Sequence, residues 1–242
     1  MISENSILRR IPVNIDPTQA LFIDGIRHAV EIIDLAYSRL RATLTQVALE
    51  PPIPAELPRL VPYIFLDAWA IVDAVDRFRM LYLQMPGIHF SQPEPGVETL
   101  KELAQPFRDL RNVADHLAQR AEFVIARNSA ALGTLTWVTA FKVEPVTLWF
   151  CTLRPGTIRT APEFRQEPFL TTLDWPTDRI CLSAGGYEGN LSSILPHIKK
   201  RIKHFESQLE GDLGKKEANC AHTASDLLQR QPYQISSTNE IK

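Results

Sequence analysis

The chain has 242 residues, 45% of them hydrophobic and 22% charged, with a formal net charge of −2 and a pI near 6.3. Such a chain can bury a real core as one large soluble unit, and its mild acidity argues against a general nucleic-acid coat, which would be basic. Cys151, Cys181 and Cys220 are odd in number and widely spaced, which excludes a disulfide framework or zinc-ligand spacing.

The opening residues do not read as a signal peptide and no apolar run is long enough for a bilayer, so a cytoplasmic protein without a membrane segment is expected. Eighteen prolines punctuate the chain. Asp16-Pro17 supplies an N-cap followed by proline at the first helical position, where its missing N–H costs nothing. From there Ile26, Val30, Ile33, Tyr37, Leu40, Leu44 and Val47 make one apolar stripe. The Pro51 to Pro58 run ends this first helix.

A second helix is predicted from about Leu60 to Gln84. Its core face is Ile64, Ala68, Ile71, Val75, Phe78 and Tyr82, widened by Phe65, Trp69, Val72 and Leu81. On so apolar a helix the polar residues Asp67, Asp73, Asp76, Arg77 and Arg79 carry extra weight. Asp73 and Arg77 sit four apart with the acid first, the better order for a pair.

A loop holding Pro86-Gly87 and Pro93 to Gly96 leads to a third helix, predicted from about Val97 to Arg127. Pro106 either kinks it or opens its second part, and its stripe is Leu103, Phe107, Leu110, Ala114, Leu117, Ala121 and Val124. After Asn128 the period drops to about two. Leu135 to Phe141, Val146 to Leu153, Phe169 to Leu173 and Ile180 to Ala184 are the strand candidates. Arg154 to Thr157 and Gly185-Gly186 read as turns. A last helix begins between Asn190 and Pro196, runs to about Glu210, and shows a basic face of Lys199, Lys200, Arg201, Lys203 and His204.

The expected architecture is mainly α within an α+β class. A helical bundle spans 15–128, an antiparallel β insert 129–189, a fourth helix 190–210, and a flexible polar tail 211–242. The four-helix bundle thus carries a small sheet between its third and fourth helices.

The third helix carries Arg111-Asn112-Val113-Ala114-Asp115-His116. A guanidinium can hold a phosphate in a forked hydrogen bond, and an ordinary imidazole titrates near ~6.5, where it can give or take a proton. On an ideal helix the two side chains lie roughly 140° apart, flanking the outward face. Asn112 precedes His116 by one turn and could orient its ring, while Arg111 and Asp115 are spaced for an ordinary i, i+4 pair.

The pattern of arginine, a polar residue and histidine five positions on, within a helical core, resembles the HEPN (higher eukaryotes and prokaryotes nucleotide-binding) superfamily. Many members are ribonucleases of toxin–antitoxin, abortive-infection and CRISPR systems. The resemblance covers roughly 16–128 and 190–210 and leaves the β insert aside. It implies a homodimer with a composite site, metal-independent endoribonuclease activity, no cofactor, and RNA or an antitoxin as partners. Arg111 would then stabilise the charge on the transferring phosphate, and His116 would act as general base or acid. Asn112 would orient the histidine or bind phosphate. Asp73, Arg77 and Asp115 would support the site, with Lys199, Lys200 and Lys203 on RNA phosphates.

Two other readings stand beside this one. The first is a non-catalytic interaction or regulatory module whose sheet binds a partner. The second is a metal-dependent hydrolase using Asp67, Asp73 and His28, although exposure or capping accounts for His28 and no metal-ligand spacing stands out. The tryptophans Trp69, Trp137, Trp149 and Trp175 read as core or sheet-face residues.

Overall fold

Asp16 begins the long helix as its sequence requires. In the computed structural model its Oδ1 accepts the backbone N–H groups of Thr18 and Gln19 at 3.0 Å each, with Pro17 leading the helix. The structure describes residues 1–87, 98–141, 147–156, 174, 176–217, 226 and 228–230, with the backbone alone for 212–217.

Helix α1 (Pro17–Leu49) and helix α2 (Leu57–Leu83) form an antiparallel hairpin. Its register is marked at one end by Gly25, where an added Cβ would lie 2.6 Å from Leu81 Cδ1. At the other end Arg39 Nη2 lies 3.2 Å from Asp67 Oδ1. The predicted stripes face the core: Ile26, Val30, Ile33, Leu40 and Leu44 meet Ile64, Ala68, Ile71, Val75 and Phe78. Helix α2 starts three residues earlier than expected, with Pro58 in the first turn, where a missing N–H is tolerated.

The predicted third helix is three pieces. Thr99 and Glu102 form a capping box that starts the short α3 (Leu100–Leu103). Pro106 then opens α4 (Gln105–Asp115), which stops at His116 before α5 (Ala121–Ala126) begins. Pro106 thus opens a second part, one of its two expected roles, but the expectation that this part runs on to Arg127, with His116 on its outward face, is corrected.

The reason for the break is tertiary. Val113 at the end of α4 and Phe123 on α5 both pack on Gly185, whose added Cβ would lie 2.9 Å from Val113 Cγ1 and 3.5 Å from Phe123 Cε1. Ten residues of straight helix would separate them by about 15 Å, so the chain must turn between them. The stripe shifts accordingly: Val113 is buried, Leu117 half-buried, and Ala114 and Ala121 exposed.

Strands β1 (Thr134–Phe141), β2 (Thr147–Leu153), β3 (Thr177–Ala184) and β4 (Tyr187–Asn190) pair antiparallel in the order β2-β1-β3-β4, with a register shift between Thr136 and Val138 against β3. Phe169 to Leu173, read as a strand, lies outside the described residues, and β4 was not foreseen. Gly185 and Gly186, both at positive φ, turn β3 into β4 as a two-residue hairpin loop. Arg127 covers this turn while its guanidinium stacks 4.0 Å from the Phe123 ring centroid.

Asn190 caps the approach to α6 (Ile194–Glu217), accepting from Ser192 and Ser193 N–H at 3.1 and 2.9 Å. Helix α6 runs seven residues past its expected end. Its Ile198, Ile202, Phe205 and Leu209 enter the common core, and Phe205 meets Tyr82 edge-on at 5.9 Å. The fold is mixed, with helices and one small antiparallel sheet sharing a continuous core. Among the described residues no helix is long and apolar enough to cross a membrane.

Gly133 precedes β1 at φ +84°, and an added Cβ would stand 2.4 Å from the Ser183 carbonyl oxygen. Gly133→Ala is expected to destabilise the fold by about 2 kcal/mol or more through backbone strain and this clash. Urea unfolding measures it; an unchanged midpoint would show that the β1–β3 approach is looser than described.

Candidate functional site

Two polar stripes meet where α4 crosses α2. Asp76, Arg79, Met80 and Gln84 recur at helical spacing on α2. Across from them Arg108, Arg111, Asn112 and Asp115 occupy i, i+3, i+4 and i+7 of α4, one helix face. The space between the two faces is a mainly polar cavity of about 330 Å³.

Asp76 organises its wall. Its side chain is only 5% exposed, and a carboxylate so placed needs charged partners. Arg79 donates from Nε and Nη2 to Oδ1 at 2.8 and 2.7 Å, and Arg111 donates from Nη1 to Oδ2 at 3.1 Å. Arg111 Nε also lies 3.3 Å from Asp73 Oδ1 and 3.6 Å from Asp115 Oδ2. Asp73 in turn accepts from Arg77 Nη2 at 2.8 Å, the pair its spacing predicts. Arg111 is thus held by three carboxylates.

The structure brings Arg111, Asn112 and Asp115 to the cavity, with Asp73 and Arg77 beside them. His116 is exposed, follows Asp115 as the cap of α4, and has no hydrogen bond to Asn112 among the described residues. The 140° separation of an ideal helix does not apply to it. Lys199, Lys200 and Lys203 are exposed on α6 and do not line the cavity.

The three residues of the metal-dependent reading go separate ways. Asp67 pairs with Arg39 on α1, while Asp73 joins the Arg111 cluster. His28 is exposed, its Nε2 3.0 Å from Arg27 Nη2. Among the described residues no group of three or more His, Cys, Asp or Glu side chains is placed to hold a metal ion. Burial pushes the Cys151 thiol up to about 11, so it stays protonated near neutral pH and is no ready nucleophile. Trp137 is core, whereas Trp149 is half-exposed on β2 against Phe141; Trp175 lies outside the described residues.

Sequence reasoning singled out Asp76 and Arg79 as unusual on an apolar helix but did not link them to Arg111. Arg108 was missed. Its signal was the polar i, i+3, i+4, i+7 recurrence with Arg111, Asn112 and Asp115.

Comparison with family models, with curated proteins and with solved structures gives no match to this chain.

Removing Asp76 leaves Arg79 and Arg111 without their shared anion. Asp76→Ala is expected to cost about 3 kcal/mol, against under ~1 kcal/mol for the more exposed Asp73→Ala. Chemical denaturation compares them, and equal costs would show that Asp76 does not anchor the cluster. Burial also pushes the Asp67 carboxyl up, with Arg39 opposing. The folded chain then holds this proton more tightly than the unfolded one, so stability from it is lost as pH rises through the folded pKa. Asp67→Asn should hold or raise the Tm at neutral pH, the gain fading as melts are taken down to about pH 4. A Tm that falls at neutral pH would mean that the Arg39 pair outweighs burial.

Proposed function

We propose that this chain is a HEPN-like, metal-independent endoribonuclease. Its α1, α2, α4–α5 and α6 are read as the helical bundle, and two copies join their Arg111, Asn112 and His116 around one RNA phosphate. The observation that carries this reading is the polar cavity lined by Arg111 and Asn112, with the exposed His116 next after its rim residue Asp115. Arg111 is held in one orientation by its three carboxylates. That is the preorganised cation a phosphorane-like transition state needs.

In this mechanism one imidazole takes the proton of a ribose 2′-hydroxyl as the 2′-oxygen attacks phosphorus. The bond to the 5′-oxygen breaks, and the leaving oxygen takes a proton from the second copy's imidazole. The products are a 2′,3′-cyclic phosphate and a 5′-hydroxyl. One copy supplies one imidazole, so the acid and the base come from different copies. The proposed setting is the cytoplasm, as a toxin- or defence-type nuclease with an antitoxin-like partner.

A second reading is a non-catalytic interaction module. It is favoured by the three carboxylates around Arg111, which also describe a plain interhelical clamp, and by Trp149 and Phe150, 51% and 44% exposed on β2.

His116→Ala separates the two. The exposed ring makes no hydrogen bond among the described residues, so stability should change by no more than about 0.5 kcal/mol. Incubated with total RNA in EDTA, wild type should cut, and His116→Ala should cut at least ~100-fold more slowly. Intact RNA with wild type at high concentration, or equal cutting by the variant, removes the nuclease reading and leaves the interaction module.

A further inference from the structure

We infer that Arg108, with the Asn112 carboxamide, is the pair that first captures the phosphate at the α2–α4 cavity, while the carboxylate-held Arg111 sets α4 in place and meets the charge that develops in the transition state. This rests on the RNA reading of the same site and refines it.

The argument is one of charge already committed. Arg77 is engaged by Asp73, Arg79 by Asp76, and Arg111 by Asp73, Asp76 and Asp115. A phosphate approaching any of these must compete with a carboxylate already in place, and it meets the repulsion of that carboxylate. Arg108 differs. It lines the cavity, is exposed, and its guanidinium makes no hydrogen bond or ion pair with any of the described residues. Four arginines and three aspartates form this cluster, so the single positive charge in excess resides on Arg108.

Asn112 lies one turn beyond Arg108 on the same face, and its carboxamide likewise makes no hydrogen bond among the described residues. Side chains at i and i+4 are about 5–6 Å apart at Cβ, close enough for a guanidinium fork and an amide N–H to reach oxygens of one phosphate. Gln84, capping the end of α2, adds a second uncommitted amide across the cavity. Asp73, Asp76 and Asp115 neutralise the flank of Arg77, Arg79 and Arg111, whereas the Arg108 flank is cationic. A phosphodiester therefore enters by Arg108 and Asn112, and the carboxylate-held Arg111 sets the spacing of α4 on α2 that aims them.

The test is fluorescence anisotropy in EDTA, with a labelled 2′-O-methyl single-stranded RNA that cannot be cleaved and, in parallel, with tripolyphosphate as competitor. Arg108→Ala is expected to weaken RNA binding about 5- to 20-fold and to reduce the slope of log K against log salt by about 0.7, one phosphate contact. Its Tm should stay that of wild type, because no contact is lost. Arg108→Lys should keep the salt slope while losing part of the affinity, and Asn112→Ala should lose affinity with the slope unchanged. If Arg108→Ala binds as wild type does, the inference is overturned while the nuclease reading stands on the cleavage assay. If wild type binds tripolyphosphate in an Arg108-dependent way but ignores RNA, the inference stands and the RNA reading falls. If wild type binds neither, both fall.

Discussion

The Asp76 carboxylate is the contact on which the polar half of this molecule depends. It sits in the C-terminal third of α2, a helix otherwise apolar around most of its circumference, and is almost wholly removed from water. A bare carboxylate there would be costly. Arg79 answers it from one turn along the same helix, and Arg111 answers it from α4. The second of these is a long-range demand. It fixes which turn of α4 lies over which turn of α2, and with that it places Arg108, Asn112 and Asp115 around one cavity. Apolar packing between Phe107, Leu110 and the neighbouring strand would hold α4 down. It would define the register along α2 less sharply, since dispersion contacts are non-directional.

A second constraint acts on the other end of α4. The β3–β4 turn can be tight only because Gly185 and Gly186 accept positive φ, and side chains from α4 and α5 close over it. Drawing Val113 and Phe123 to one point forces the chain to bend in the stretch between them. The bend falls where exposed residues offer the helix little packing, and Asp115 near a helix C-terminus opposes the macrodipole. His116 is released from helical geometry as a result. Arg111 is therefore among the most constrained side chains of its segment and His116 among the least.

That contrast bears on how such a site would work. A cation held by three carboxylates is well oriented but poorly suited to capture an anion, whereas an uncommitted guanidinium one turn earlier has the opposite properties. Capture, orientation and proton transfer would then fall to different residues of one short segment, each with a distinct electrostatic setting. The half-exposed Trp149 and Phe150 of β2 take no part in this division of roles.

Much of the helical framework was legible in the sequence. The Asp16-Pro17 cap, the α1 stripe, the apolar breadth of α2, the Asp73–Arg77 pair and the Gly185-Gly186 turn all follow from local rules of capping, periodicity and turn geometry. These rules involve residues a few positions apart, and the sequence states them directly. The partner of Asp76 thirty-five positions away, the pairing of Asp67 with Arg39, and the break at His116 were not legible. Each is decided by which surfaces meet after the chain has folded back. Periodicity says which face of a helix is buried, but not what lies opposite it. So the sequence by itself determined that Arg111, Asn112 and His116 are close along the chain. Only the tertiary structure decided that Arg111 is bound by carboxylates, that His116 stands off the helix, and that Arg108 keeps its charge open, because charge pairing and helix bending are settled between elements.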